Sequence, residues 1–288
     1  MMDSRTSAPA GATVNDFASA LRQWRGRRGY SQLRLSLDSG ISQRHLSFLE
    51  TGRAQPGREL VLKLGIVLDI PLRQRNAMLL AAGFAPAYRE RSLGDPELAA
   101  VTRALDFMLA QQAPYPALVV DRLWQLVMAN EPAARMMRWF LGLPAHAPIP
   151  RDGSLNVLAL MLDPDGLRPY LANWEAVGAD LLGWVQREAM GDGPGSEARH
   201  LLERLLALPG VADALTRRQL PDMQSERAAL PFLPLTLRKD GLELNLFTTI
   251  TTLGTPHDVT LHELRLESFF PADDASREWF LALSGQPG

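Results

Sequence analysis

The sequence predicts two domains of different class, an all-α head followed by an α/β domain built on an antiparallel sheet. Three observations carry this. Residues 15–83 place apolar residues at helical spacing, broken only by glycines and prolines, whereas residues 117–129 and the tail from Pro234 carry β-prone runs. Charge divides near the same boundary: residues 1–92 hold 14 Lys/Arg against 7 Asp/Glu, and the remainder 16 against 25. A net charge of −2 therefore hides a basic head, suited to approach a polyanion, and an acidic second half.

Composition bounds the rest. At 288 residues, 46% hydrophobic and 22% charged, the chain has material for two ordinary globular domains. It contains no cysteine, which excludes disulfides, thiolate zinc sites and cysteine nucleophiles. No apolar run approaches the ~18 residues of a membrane span, and no basic patch followed by an apolar core opens the chain, so a cytoplasmic protein without membrane contact is expected.

Residues 1–14, rich in Ser, Ala, Pro and Gly, lack periodicity and are expected to be disordered. Phe17, Leu21 and Trp24 recur at i, i+4 and i+7 and predict a helix over 15–28 that Gly29 ends. The spacing then predicts a helix from Gln32 to about Asp38, a turn through Gly40, and a second helix opened by Ser42 and running to about Glu50. Leu35, Ile41, Leu46 and Leu49 fall inside, and glycine at 40 supplies the positive φ such a turn uses. Ser42 is an N-cap candidate, and Gln43, Arg44 and Ser47 then face outward at the front of the second helix. Glutamine and arginine there suit base edges, because the major groove admits a helix whose N-terminal residues reach the bases. Leu60, Val61, Leu64, Val67 and Leu68 give a fourth helix its inner face, and Pro71 opens a fifth to about Ala82. Residues 84–94 read as the linker.

The motif Ser31-Gln32, Leu35, Gly40, Ser42, Leu46-Ser47, Glu50 and Gly52 resembles the XRE, or phage-repressor-like, class of helix-turn-helix regulators. Two positions depart from that class: Ser36 where alanine is common, and Phe48 where a basic residue is frequent. Phe48 replaces a phosphate contact with apolar contact to a thymine methyl or with packing. Gln32, Arg53 and Arg58 are candidate phosphate contacts, each equally readable as a solvated surface group. The resemblance implies double-stranded DNA as partner, bound as a homodimer on a palindrome, since two recognition helices ~34 Å apart match consecutive turns of the groove.

In the second half, Asp95-Pro96 predicts a helix start, with the helix running to about Gln112. Short strands are expected at 117–121 and 124–129, a helix after Asn130-Glu131-Pro132, and helical stretches near 154–162, 166–190 and 196–208. Strands then follow at 234–239, 242–253 and 259–270, the first two joined by a hairpin at Lys239-Asp240-Gly241. This order, two strands, helices, three strands, is that of a PAS-like domain over residues 95–288. The run Pro114 to Asp121, Trp124, Asn130, Asn173-Trp174-Glu175 and the segment Asp258 to Pro271 resemble the ligand-binding domain of MmyB-type transcription regulators. That resemblance implies a one-component regulator whose second domain holds a hydrophobic small molecule such as a fatty acid, with no cofactor required. Met128, Met136, Met137, Phe140, Met161, Trp174, Leu181 and Phe247 are the side chains to line such a pocket, and equally read as ordinary core. Arg135 and Asn130 are the candidate partners for a carboxylate at its mouth.

Other motifs read blandly. Asp163-Pro164-Asp165-Gly166 begins like a calcium loop, but the twelfth position is Trp174 instead of a glutamate. The Gly191 to Gly195 run lacks a following Lys-Ser/Thr, and His257 and His262 on one strand would face opposite ways. The rival reading from another class is an enzyme acting on a small metabolite and tethered to DNA by its head. No nucleophile, base and orienting acid are grouped by sequence to support it.

Overall fold

The computed structural model describes residues 14–150, 153–192, 196–219, 233–254 and 257–284. The expectation of disorder for residues 1–14 lies outside them, except at Val14, which opens the first helix. The chain divides into two compact units, Met1–Arg91 with His257–Val259, and Ser92–Pro256 with Thr260–Gly288.

The first unit is all-α: α1 (Val14–Arg27), α2 (Gln32–Ser39), α3 (Gln43–Glu50), α4 (Arg58–Val67) and α5 (Leu72–Ala81). The periodic apolar residues converge as their spacing requires. Phe17, Leu21, Leu35, Ile41, Leu46, Leu49, Val61, Leu64, Leu68, Ile70, Met78 and Leu79 make one core. Local chemistry sets the turns. Ser31 accepts a hydrogen bond from the Arg34 amide and Ser42 from the His45 amide, so both helices of the α2–α3 pair are capped. Gly40 ends α2 at φ 65°, the left-handed conformation that glycine takes without penalty. Ser36 closes the same turn by donating to the Ile41 carbonyl at 2.6 Å, a bond that the alanine common at this position cannot make.

Residues 84–91, read from sequence as linker, are tied into this unit. Asn76 accepts from the Ala87 and Tyr88 amides and donates to the Tyr88 carbonyl, Arg73 pairs with Glu90, and Phe84 and Ala87 pack on the core. Composition could not show this, because the anchoring comes from side chains of α5, Asn76 and Arg73, and from Phe84 and Ala87 on the core.

The second unit holds β1 (Ala117–Val120), β2 (Leu126–Ala129), β3 (Leu233–Lys239), β4 (Leu242–Thr251) and β5 (Arg265–Pro271), antiparallel throughout in the order β2-β1-β5-β4-β3. Between β2 and β3 run α7 (Glu131–Leu141), α8 (Val157–Leu162), α9 (Trp174–Asp192), α10 (Glu197–Leu206) and α11 (Val211–Gln219). Helix α6 (Ala99–Gln111) precedes the sheet, and α12 (Val259–Glu263) and α13 (Asp274–Ser284) flank β5. This is the PAS-like arrangement expected. One face of the sheet, with Leu118, Val120, Leu235, Leu237, Leu244, Leu246 and Phe269, packs on α7 to α11. On the other face, Ala117, Val119 and Leu266 pack on Leu105 and Leu109 of α6. The hairpin between β3 and β4 turns through Asp240 and Gly241, both at positive φ, as Asp-Gly hairpins do.

Several boundaries differ from expectation. The strand predicted over 259–270 starts only at Arg265, since Val259–Glu263 form a helical turn that buries Val259. His262 is therefore helical, and the argument from strand alternation does not apply to it. The stretch predicted as helix from 166 becomes a 3-10 turn at Arg168–Tyr170 before α9 opens at Trp174. The delay has a cause in Asn173, whose side chain donates to the Pro234 carbonyl and accepts from the Thr236 amide, closing the edge of β3. Helices α11 and α13 carried no clear start signal. The strand expected from Trp124 begins at Leu126, with Trp124 itself at φ 63°. Gly193 to Gly195, the core of the glycine-rich break, lie outside the described residues.

Candidate functional site

In the first unit the candidate surface is the front of α3. Ser42, Gln43 and Arg44 are exposed and Ser47 and Phe48 half-exposed, while Leu46 and Leu49 anchor the opposite face in the core. Arg44 and Phe48 are one turn apart, and the guanidinium lies 5.4 Å above the phenyl ring. Phe48 therefore acts as a shelf that restrains Arg44, a cation–π contact worth about 0.5–1 kcal/mol at an exposed site. Arg53 and Arg58 are exposed on the loop after α3 and at the start of α4.

What holds α3 in place is a network that the sequence pattern did not reveal. Glu50 is buried at the end of α3, where it accepts from Arg25 at 2.5 and 3.0 Å and from Gln32 at 2.8 Å. Arg22 donates to the Glu50 carbonyl. Burial pushes the Glu50 carboxyl up, but the hydrogen bonds from Arg25 and Gln32 and the charges of Arg25 and Arg22 outweigh it and hold the pKa below the ordinary value. Gln32, a candidate phosphate contact by sequence, thus has its amide N–H committed inside the head. It ties the start of α2 to the end of α3. The only sequence signal for this hub was an acidic residue within an apolar helix face.

In the second unit the structure scatters the pocket candidates. Met136, Met137, Phe140 and Leu181 are buried in the main core, with Met161 and Trp174 packed against it. Arg168 lies 4.1 Å over the Trp174 ring. Two candidates sit on the other face of the sheet, which corrects their placement around one interior. Met128 packs with the α6 layer, and Phe247 stacks on Phe270 at 5.2 Å, opposite in the pleat to Leu246. Period-2 alternation decides this, and a composition-based choice of broad side chains ignores it.

The two carboxylate partners are also reassigned. Asn130 caps α7 through the Ala133 amide, accepts from the Ala117 amide, and donates to the Leu109 and Tyr115 carbonyls. All of its hydrogen-bonding capacity joins α6, β1 and α7. Arg135 donates to Glu131 and to the Leu283 carbonyl, fastening α13. Asp163 accepts from the Asp165 amide, an Asx turn after α8.

A cleft of about 240 Å³ opens elsewhere, lined by Trp124, Trp184, Arg187, Glu188, Ile250 and Arg265. Trp124 and Trp184 lie 5.4 Å apart, Trp124 buried and Trp184 exposed. Arg265 donates to Glu188 at 2.7 Å and to the Arg122 carbonyl at 3.2 Å. One step inward on the same sheet face is Glu267, the cross-strand partner of both Ile250 and Leu118. It is buried, its one hydrogen-bonding side chain among the described residues is Thr248, and burial pushes its carboxyl up to about 7. No group of three or more His, Cys, Asp or Glu capable of holding a metal occurs among the described residues, and no described helix is long and apolar enough to cross a membrane.

Comparison with known proteins places these two units. Residues 21–74 match the helix-turn-helix family, and residues 101–283 match the MmyB-like transcription regulator ligand binding domain. No curated protein matches the chain. Among solved structures, one described as an RNA-binding Light-Oxygen-Voltage receptor is similar over 93% of this chain at 12% identity and a TM-score of 0.25. The chain spans 64% of that protein's length, and a likeness at this score carries no argument. Neither matched family is an enzyme family. The ligand-binding match alone spans more than half of the sequence, so this chain belongs to the MmyB-like transcription regulators, with a helix-turn-helix DNA-binding head and a ligand-binding domain.

Proposed function

We propose that the protein is a one-component regulator that reads a palindromic operator as a homodimer and whose second domain senses a hydrophobic small molecule, a fatty acid or similar amphiphile. It acts in the cytoplasm, where the DNA is. The observation that carries the DNA-reading half is the exposed Gln43-Arg44 pair on the capped front of α3, in a head that carries an excess of basic residues. A two-fold arrangement follows from the short reach of one eight-residue helix, which covers only a few base pairs. The ligand acts by binding one arrangement of the protein better than another, since equal binding to both shifts nothing.

Footprinting on the protein's own upstream region tests the operator, with two protected half-sites about one helical turn apart as the expected result. Solvent extraction of the denatured protein followed by mass spectrometry tests the ligand. The dense packing of Met136, Met137, Phe140 and Leu181 favours a second reading, in which the second domain only dimerises. Recovery of no amphiphile, together with no thermal shift on adding medium-chain to long-chain acids, would count against ligand sensing and in favour of that second reading.

A further inference from the structure

The cleft at the edge of the second unit has the makings of a head-group site. Its walls are apolar where Trp124, Trp184 and Ile250 meet, and its charged lining is Arg187, Arg265 and Glu188, two cations against one anion. Arg187 is exposed, Trp124 is buried, and Arg265 is about one-fifth exposed, so the cleft runs from solvent to the sheet.

Trp124 adds a further sign. It sits at φ 63°, a conformation that a bulky residue adopts only when its surroundings impose it. What imposes it is Asp121, whose carboxylate accepts from the Leu123 and Gln125 amides on either side. The strained turn directs a large indole into the cleft floor, where an ordinary strand residue would have left a smaller surface.

We infer that this cleft binds the anionic head group of an organic acid, with the carboxylate taken by Arg265 and Arg187 in competition with Glu188 and the first carbons lying on Trp124, Trp184 and Ile250. Arg265 donates from Nη2 to Glu188 at 2.7 Å, the bond a ligand carboxylate would take in its place, while Nη1 is held by the Asp121 and Arg122 carbonyls. Glu188 is an internal stand-in for the ligand's own carboxylate. A volume of about 240 Å³ lies below the roughly 300–1,000 Å³ of drug-sized pockets. The site therefore accommodates a carboxylate with a short acyl or aryl body and not a whole long chain. This rests on the reading that the second domain senses an amphiphile, and it replaces Arg135 and Asn130 with a different pair of partners.

The test is calorimetric titration of octanoate, with octanol as the uncharged control, into the full chain and two variants at cleft positions. Glu188→Gln removes the competitor and is expected to bind octanoate at least threefold more tightly. Arg187→Gln is expected to bind it at least threefold more weakly, and octanol is expected to bind none of the three proteins. Octanoate binding of equal strength in all three proteins would overturn the site while leaving the sensing reading intact. Octanol binding as well as octanoate would overturn the anionic head-group preference, and binding of neither would overturn both readings.

Discussion

Replacing Glu267 by glutamine isolates the one carboxyl that, among the described residues, is buried without a cation beside it. Glutamine keeps the shape and can still bond Thr248, so the change removes a titration and little else. Burial raises the carboxyl from the ordinary 4.5 to about 7, a gap worth about 3 kcal/mol. The sign follows from linkage: between those values the folded chain binds the proton and the unfolded chain does not, so stability falls as pH rises. Full stability from this source is present below pH 4.5 and is lost by about pH 7. About 2–3 kcal/mol of the loss falls between pH 5 and pH 8.

Urea unfolding followed by tryptophan fluorescence reads mainly the second unit, because five of the six tryptophans lie there and only Trp24 lies in the head. The wild-type transition of that unit is expected to move to lower urea as pH rises from 5 to 8. The variant's profile should be flatter by that 2–3 kcal/mol. Every other titratable group is common to both proteins and cancels in the difference. Parallel pH profiles for the two proteins would refute the reasoning, since they would mean Glu267 ionises in the fold as freely as in water.

The other expectations concern the head and the hub of the second unit. Gln43→Ala or Arg44→Ala should lower the preference for operator over scrambled duplex by about 1–3 kcal/mol per base pair read, whereas Arg58→Ala should weaken binding to both alike; an unchanged specificity ratio in the first two variants would put another face in the groove. Glu50→Gln should destabilise the head by about 2–4 kcal/mol, because Arg25 loses its partner inside a half-buried site. Since the Glu50 carboxyl is held below its ordinary pKa, its stabilisation is present above about pH 4.5 and lost as pH falls further, the reverse of Glu267; head unfolding that is equally acid-sensitive in the variant would count against this. Asn130→Ala should cost about 2–4 kcal/mol by orphaning the Ala117 amide and two carbonyls, measured as a lower urea midpoint of the second unit, and a cost under 0.5 kcal/mol would mean water replaces it.

Local rules determined a great deal here without any tertiary information. Apolar spacing located α1 to α4 and their inner faces, because a helix that must bury one stripe has to repeat it every turn, and Pro71 marked the start of α5. Ser31, Ser42 and Gly40 set the caps and the turn through their own backbone chemistry, and Asp240-Gly241 set the hairpin in the same way. The outward placement of Gln43 and Arg44 followed once Leu46 and Leu49 were assigned inside. What needed the folded chain were the partners contributed by distant residues. Arg25, Gln32 and Glu50 meet across 18 to 25 positions, and Asn130 joins segments that no pattern links. Met128 and Phe247 look like pocket residues by type, and only strand register puts them on the opposite side of the sheet from Leu118 and Leu246. The cleft combines a turn, α9, β4 and β5, whose residues span Trp124 to Arg265. Short-range propensity acts over a few residues, whereas burial and charge pairing act over ångströms in space, and the sequence alone carries no measure of that distance.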